Sequence, residues 1–329
     1  MNKRRFLLIT TCGGLMAAAR VVSAQPGGGA PRRVGVFSPG GPGADDAILQ
    51  PYFDEMRRLG WLDGRNVVYD RVFANDHMEL APGLAAELVS RKPDLIVAIS
   101  PPGSSAVKRA TSTIPTVFAV VVDPLAAGLV GNLAHPGGNV TGVTQSIAES
   151  LMPKRIELVR EVVPGVKQIG LLGNPLDPGS IADQAALAPL LANLGLRMVV
   201  ANGTNPQEFD ASVASLVDQH VQAIVVANGI AVTRRAEMIA QTNRARIPVF
   251  GFNLPMAAAG ALLSFGPSMT DQLHRAAHLA DKILRGTRPG DIPVEAASVL
   301  ELVVNQKSAR LLGIQIPQSV LVRADRVIE

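Results

Sequence analysis

The chain predicts an α/β fold built as two doubly wound, parallel-sheet lobes. Three observations carry that expectation. Near-continuous apolar runs such as "DLIVAIS" (94–100) alternate with helical segments, the pattern of parallel strands covered on both faces. The alternation runs to about residue 143 and then restarts over a similar length, as two successive arrays do. The segments that follow the strands are polar and rich in proline and glycine in both halves. Ligands of such sheets bind beyond the carboxyl ends of the strands, so this is the composition of two facing cleft walls.

The first residues read as an export signal. Lys3, Arg4 and Arg5 precede an apolar run from Phe6 to Ala19, and Val22-Ser23-Ala24 supplies a small-residue cleavage site. The run is shorter than the roughly 18–20 apolar residues a membrane span needs. Arg4-Arg5 before Phe6-Leu7-Leu8 also fits a twin-arginine signal, so both the general secretory and the twin-arginine routes stand. Residues 1–24 are therefore expected to be removed, and 25–32, "QPGGGAPR", to be a flexible linker.

In the first array the expected strands are 33–37, 66–73, 94–100, 115–122 and 139–143. Helices are expected at 45–59, 78–91, 104–111 and 125–133. The second array has helices at 153–163, 181–194, 207–219 and 231–244, flanking strands at 166–174, 196–202, 222–228, 247–252 and 261–266. A long helix, 268–285, closes on Gly286, the residue type that most easily takes a left-handed cap. A turn at 289–293, a strand at 300–305 and a terminal helix from Ser308 complete the chain.

Composition narrows the function. The 31 basic and 27 acidic residues give a net charge of +4. Lys3, Arg4, Arg5 and Arg20 all lie in the signal segment, which has no acid, so the remainder is charge-balanced. It lacks the basic footprint that nucleic acid or an anionic membrane demands. Cys12 is the only cysteine and sits in the same segment, leaving no disulfide, thiolate nucleophile or thiolate metal site beyond it. Enzymatic motifs are missing: no G-x-S-x-G elbow, no H-E-x-x-H, and "SPGGPGADD" lacks the lysine of a phosphate loop. His274 and His278 share a helix face, but no third ligand is apparent, and an exposed polar face is the simpler reading. No cofactor is expected.

Candidate contacts lie at strand ends. Ser38 ends the first strand, and Ser100 and Gly103 follow the third. In "ISPPGSSAVKRA", Ser104 or Ser105 can cap the next helix, whose free N–H groups would attract a carboxylate. Asp123 before Pro124 has two readings, a carboxylate for a ligand ammonium or a turn residue opening a helix. Asn174 and Asn228 can supply amide hydrogen bonds from the second half, or serve only as turn residues. Phe252 and Phe265 can form an aromatic platform or belong to the core.

"LAHPGGNVTG" (133–142) admits three readings: a phosphate-cradling turn, a glycosylation sequon at Asn139, or a turn feeding a strand. No lysine or helix start accompanies the glycines, which removes the first.

The blocks "LGWLDGRNVVYD", "TSTIPTVFAVVVDPLAAGLVGNLAHPGGNVTGVT", "KRIELVREVVPGVKQIGLLGNP", "ALLSFGPS", "ILRGTRPGDIPVE" and "ELVVNQKSARLLGIQIP" resemble, in order and spacing, the tryptophan/tyrosine-type substrate-binding proteins of ABC transporters. That resemblance spans essentially the whole chain after the signal. It implies the type I periplasmic binding protein fold and capture of an amino acid or related small carboxylate in an interlobe cleft. It further implies delivery by a monomeric periplasmic receptor to a permease in the inner membrane. A sensor presenting its ligand to a receptor kinase is the alternative.

The resemblance also implies three hinge crossovers, near 141–146, 264–266 and 301–304. They would divide the chain into a first lobe, 33–143 plus 267–299, and a second, 147–263 plus 303–329. "LAHPGGNVTG" then becomes the approach to the first crossover, with Gly142 letting the backbone rotate and the sequon accidental in a chain that looks bacterial. The match to the family's ligand loop favours the binding reading of Ser104. Phe265 stands where the family commonly has tyrosine, so any hydroxyl contact made there is missing.

Overall fold

The structure, a computed structural model, describes residues 30–75, 77–145, 151–176, 178–227, 229, 231 and 234–329. The expected signal at 1–24 and Asn228 lie outside the described residues.

The first array forms β1 (Arg32–Ser38), α1 (Ala44–Arg58), β2 (Val67–Phe73), α2 (Ala81–Ser90), β3 (Leu95–Ile99), α3 (Pro101–Ala110), β4 (Thr116–Val121) and β5 (Val140–Thr144). Every residue of β3, "LIVAI", is buried, because helices cover both faces of its sheet. Val34, Val36, Leu95 and Val97 pack toward Leu49, Tyr52 and Met56 of α1. Phe37, Ile96 and Ala98 point the other way, onto Ala85 and Leu88 of α2 and Val107 of α3.

The second array follows the same logic. It runs α4 (Met152–Val162), β6 (Gln168–Gly173), α5 (Pro178–Asn193), β7 (Arg197–Asn202), α6 (Pro206–Asp218), β8 (Ala223–Val226), α7 (Arg235–Arg244), β9 (Val249–Gly251), α8 (Leu254–Ala259) and β10 (Leu263–Pro267). Leu171 and Val225 face α4 and α5, while Leu172, Ile224 and Val226 face Phe209 and Val213 of α6.

The long helix α9 (Met269–Leu284) is capped by Ser268, whose hydroxyl accepts from the Asp271 N–H. Gly286, at φ +108°, lies just past its end and takes the left-handed conformation expected of it. This helix leaves the second sheet and packs its apolar stripe (Leu273, Ala276, Ala277, Ala280) in the core of the first. β11 (Glu295–Ala296) pairs with β5, after which β12 (Leu300–Asn305), α10 (Gln306–Leu312), α11 (Gln318–Arg323) and β13 (Arg326–Ile328) return to the second sheet.

The first sheet is ordered β11-β5-β4-β3-β1-β2 and the second β13-β12-β10-β9-β8-β6-β7. All pairs are parallel except β10 with β12. The chain passes between the sheets after Thr144, between β10 and α9, and between β11 and β12.

Several expected elements differ. The helix expected at 125–133 does not form. The Asp123 carboxylate accepts from the N–H groups of Leu125 and Ala126, and Gly128 takes φ +65°, so the segment closes into successive turns. The segment 78–91 divides into a 3₁₀ turn, Met78–Leu80, and α2, whose start Pro82 favours. α3 begins at Pro101 rather than Ser104, because proline suits the first helical turn. The short α8, α11 and β13 were not expected.

Gly142 lies in β5 opposite Phe118 and has no positive φ; its missing Cβ leaves space for the Phe118 carbonyl and ring. Asn139 is buried and donates its Nδ2 to the carbonyls of Thr111 and Ile114, so its amide pins the turn before β4.

Glu55 joins α1 to α9. Glu55 is only 8 % exposed; its carboxylate accepts from Arg58 at 2.6 and 2.8 Å and lies 2.8 Å from His278 Nε2. The Arg58 hydrogen bond, opposed by burial, holds its pKa below the ordinary 4.5. A depressed folded pKa means the stabilisation is present above the unfolded value and lost as pH falls through the folded one. Glu55→Gln is expected to lower the melting temperature by about 1–3 °C at pH 7, the size of an ion pair whose cationic partners are solvent-exposed. Melting curves taken down to pH 3 should show the two proteins converge.

Candidate functional site

The carboxyl ends of β1, β3 and β4 form the first candidate wall. Ser38 closes β1 and is buried, its carbonyl accepting from the Ala74 N–H at 3.0 Å. Ser100 follows β3 with φ +73° and ψ 157°, a region that costs a residue other than glycine about 1–3 kcal/mol. Its Oγ is buried without a hydrogen-bond partner. Next to it in the sheet, Val120 takes φ +61° where the pairing of β4 with β5 shifts register. Two residues of positive φ thus lie side by side at this edge, one with an unspent hydroxyl, a combination that tends to cluster at ligand sites.

The α3 start is not the anion site its sequence suggests. Positions 101 and 102 are prolines without N–H groups, and the Ser104 N–H bonds back to the Ser100 carbonyl at 3.0 Å. Of the first helical residues, only Gly103 keeps an N–H for a ligand. Ser104 does not cap: it is 1 % exposed, and its Oγ donates to the Ala98 carbonyl at 3.2 Å. Gly103 is needed for packing, since a Cβ there would stand 2.8 Å from the Phe37 ring and 3.4 Å from the Ser100 Oγ. Asp123 is exposed, with Oδ1 engaged by its own turn at 2.9 and 3.0 Å.

The second wall comprises the ends of β6, β9 and β10. Asn174 serves a turn: its N–H donates to Ser180 Oγ at 2.8 Å and its Oδ1 accepts from the Leu176 N–H at 2.9 Å. Phe252 is half-buried just past β9, and Phe265 is half-buried within β10, packed against the core beneath.

Beside the Phe252 ring and the Phe265 backbone lies a residue that sequence reasoning missed. Arg155, in the first turn of α4, is 7 % exposed. Its Nε donates to the Phe265 carbonyl at 2.9 Å, and its guanidinium carbon stands 5.9 Å from the Phe252 ring centroid. Burial pushes its pKa down to about 10, against a smaller opposing influence from Asp183, so it is still a cation at neutral pH. The signal was present: Met152, Ile156, Val159 and Val162 form the buried stripe of α4, and Arg155 falls on that stripe.

Among the described residues, no group of three His, Cys, Asp or Glu side chains is placed to hold a metal, and no helix is long and apolar enough to cross a membrane.

Two largely parallel sheets, linked by three passages of the chain and bearing polar and aromatic residues at their carboxyl ends, define the type I periplasmic binding protein fold. The chain belongs to the family of ABC transporter substrate binding proteins, whose pattern it matches over residues 34–328. It is 30 % identical over 270 residues to a tyrosine-binding protein of Clostridioides difficile (strain R20291), covering 82 % of this chain and 77 % of that one. Among solved structures, a conserved domain protein from Vibrio cholerae aligns at TM-score 0.77 and 31 % identity, over 90 % of this chain and 99 % of that one. An ABC domain in complex with L-Trp from Streptococcus pneumoniae aligns at TM-score 0.76 and 26 % identity, over 91 % and 100 %.

Proposed function

We propose that this protein captures an amino acid, with aromatic side chains favoured, or a related small carboxylate, and presents it to an ABC permease in the inner membrane. The observation that carries this reading is the matched chemistry at the carboxyl ends of two parallel sheets. Ser100 and Asp123 stand on the first and Phe252 on the second. The tyrosine-binding relative and the L-Trp complex support the choice of solute class.

In this reading residues 33–143 plus 267–299 make one lobe and 147–263 plus 303–329 the other. The three passages between the sheets act as the hinge on which the lobes close. Asp123 holds the ligand ammonium with its second carboxylate oxygen, and Ser38 and Ser100 line the same wall beside the Gly103 N–H. Asn174 and Asn228 contribute amides, and Phe252 and Phe265 form the aromatic floor. Closure gives the permease a shape by which loaded and empty receptor differ. The protein works as a periplasmic monomer after removal of residues 1–24, and it performs no catalysis.

Calorimetry of the purified protein with a panel of amino acids and aromatic acids tests this. Asp123→Asn keeps the oxygen that the turn needs and removes the charge. An amino acid is expected to bind the wild type and to lose roughly 10–100-fold in affinity in the variant, the worth of a charge-assisted hydrogen bond. If nothing in the panel binds, and the variant changes no solute's affinity, the reading fails.

A further inference from the structure

We propose that Arg155 is the anion anchor of the second wall, its guanidinium pairing with the carboxylate of the bound solute while Phe252 packs beside it. The proposal rests on the solute class given above and names the residue that recognises its acid group.

The hydrogen-bond partners of Arg155 form an incomplete set. A guanidinium carries five N–H donors. Those of Arg155 reach one good acceptor, the Phe265 carbonyl at 2.9 Å, and one weak one, the Met152 sulfur at 3.7 Å. No carboxylate among the described residues forms an ion pair with it. Other arginines of the two lobes differ: Arg234 meets Asp210, Arg275 meets Asp271 and Glu295, and Arg323 meets Glu161. Each of those is also far more exposed than Arg155. A cation held this deep is costly unless an anion completes it; among the described residues Asp183 favours the charge only from a distance, without forming an ion pair with it.

The position is right for a ligand to supply that anion. α4 leads into β6, so its first turn lies at the carboxyl edge of the second sheet, beside Phe252 and the Phe265-Gly266 segment. Gly266 lets β10 run close beside Arg155: a Cβ there would come to 3.5 Å, van der Waals contact, from the Arg155 Nη2. The first wall offers an anion less, because Pro101 and Pro102 leave the start of α3 only the Gly103 N–H. A planar carboxylate matches the guanidinium edge in two parallel hydrogen bonds. Asp123 on one wall and Arg155 on the other then hold the two ends of a zwitterion, and only the closed protein engages both.

The test compares acid with amide. L-tryptophan and L-tyrosine are titrated against their carboxamides with wild type, R155K and R155M. The wild type is expected to prefer the acid by about 100-fold, and R155M to lose that preference while amide affinity stays within about threefold. R155K should recover part of it. The empty R155M protein should melt at or above the wild-type temperature, because a buried cation without an anion has been removed. An unchanged acid-to-amide ratio, together with a lower melting temperature, would show that Arg155 only braces Phe265 and Met152, and would overturn the proposal.

Should R155M fail to fold, R155Q carries the same readouts. If no amino acid binds the wild type, the solute class is wrong, and thermal shift with benzoate and indole-3-acetate decides the anchor separately. Carboxylate-dependent stabilisation of the wild type that R155M lacks supports the anchor; equal shifts in both proteins, or none in either, overturn it.

Discussion

Replacing Gly142 with alanine is expected to lower the melting temperature by roughly 8–15 °C, the consequence of about 3–5 kcal/mol of overpacking. A Cβ at this position would stand 2.3 Å from the Phe118 carbonyl oxygen and 2.5 Å from its Cγ. Relief is difficult because the nearer atom is backbone. Phe118 is fully buried, and its carbonyl lies where β4 shifts register against β5. Trimming the ring in a Phe118→Ala, Gly142→Ala double variant removes the contacts at Cγ and Cδ2 and leaves the carbonyl contact untouched. The double variant should therefore remain less stable than Phe118→Ala alone. Thermal unfolding followed by circular dichroism measures all four proteins, and a Gly142→Ala protein within 2 °C of wild type would show that β5 can move away from β4. Thr144 argues against such freedom, since its hydroxyl bonds to the carbonyls of Val121 and Val122 and ties the two strand ends together.

The same strands show what the sequence could reveal. β3 and β8 were legible because a strand buried on both faces has to be apolar at successive positions. α9 was legible because Ser268, a long apolar stripe and Gly286 mark its start, face and end. The segment 125–133 misled because its leucines and alanines favour helix, while the Asp123 side chain and Gly128 redirect the backbone over a few residues. The packing role of Gly142 is hidden from the sequence for a different reason. Its neighbour Phe118 is 24 positions distant along the chain, and no local pattern reports such an approach.

The site was legible in outline and obscure in its chemistry. Polar residues at strand ends point to two walls, and Ser100, Asp123 and Phe252 lie at the carboxyl ends of β3, β4 and β9, where the proposed site would be. Ser104 is instead spent on the Ala98 carbonyl, a use that depends on α3 starting three residues earlier than its sequence suggests. Arg155 escaped notice because a lone arginine in an amphipathic helix is ordinarily solvated. Its burial follows from Phe265, 110 residues onward, and from Phe252, contacts that only the assembled sheet creates.

Gly266→Ala is expected to damage that assembly directly, lowering the melting temperature by roughly 8–15 °C and weakening solute binding more than tenfold in the molecules that remain folded. The added Cβ would stand 2.1 Å from the Phe252 carbonyl oxygen and 3.1 Å from its carbonyl carbon. β10 cannot retreat cheaply, because Gly266 is paired with Glu301 of β12 on its other side. Phe252 must move instead, and it is followed at once by Asn253, the buried cap of α8. Displacing this carbonyl shifts the Phe252 ring relative to Arg155, and a preorganised site tolerates only about 0.5 Å of such movement. Gly142→Ala is the internal comparison: it loses a similar stability in the first sheet, where it disturbs none of the second-wall residues. Calorimetry at 10 °C, well below either transition, should find affinity retained in Gly142→Ala and lost in Gly266→Ala. Equal affinities in the two variants would mean that the β9–β10 edge takes no part in holding the solute, and that the second wall lies elsewhere.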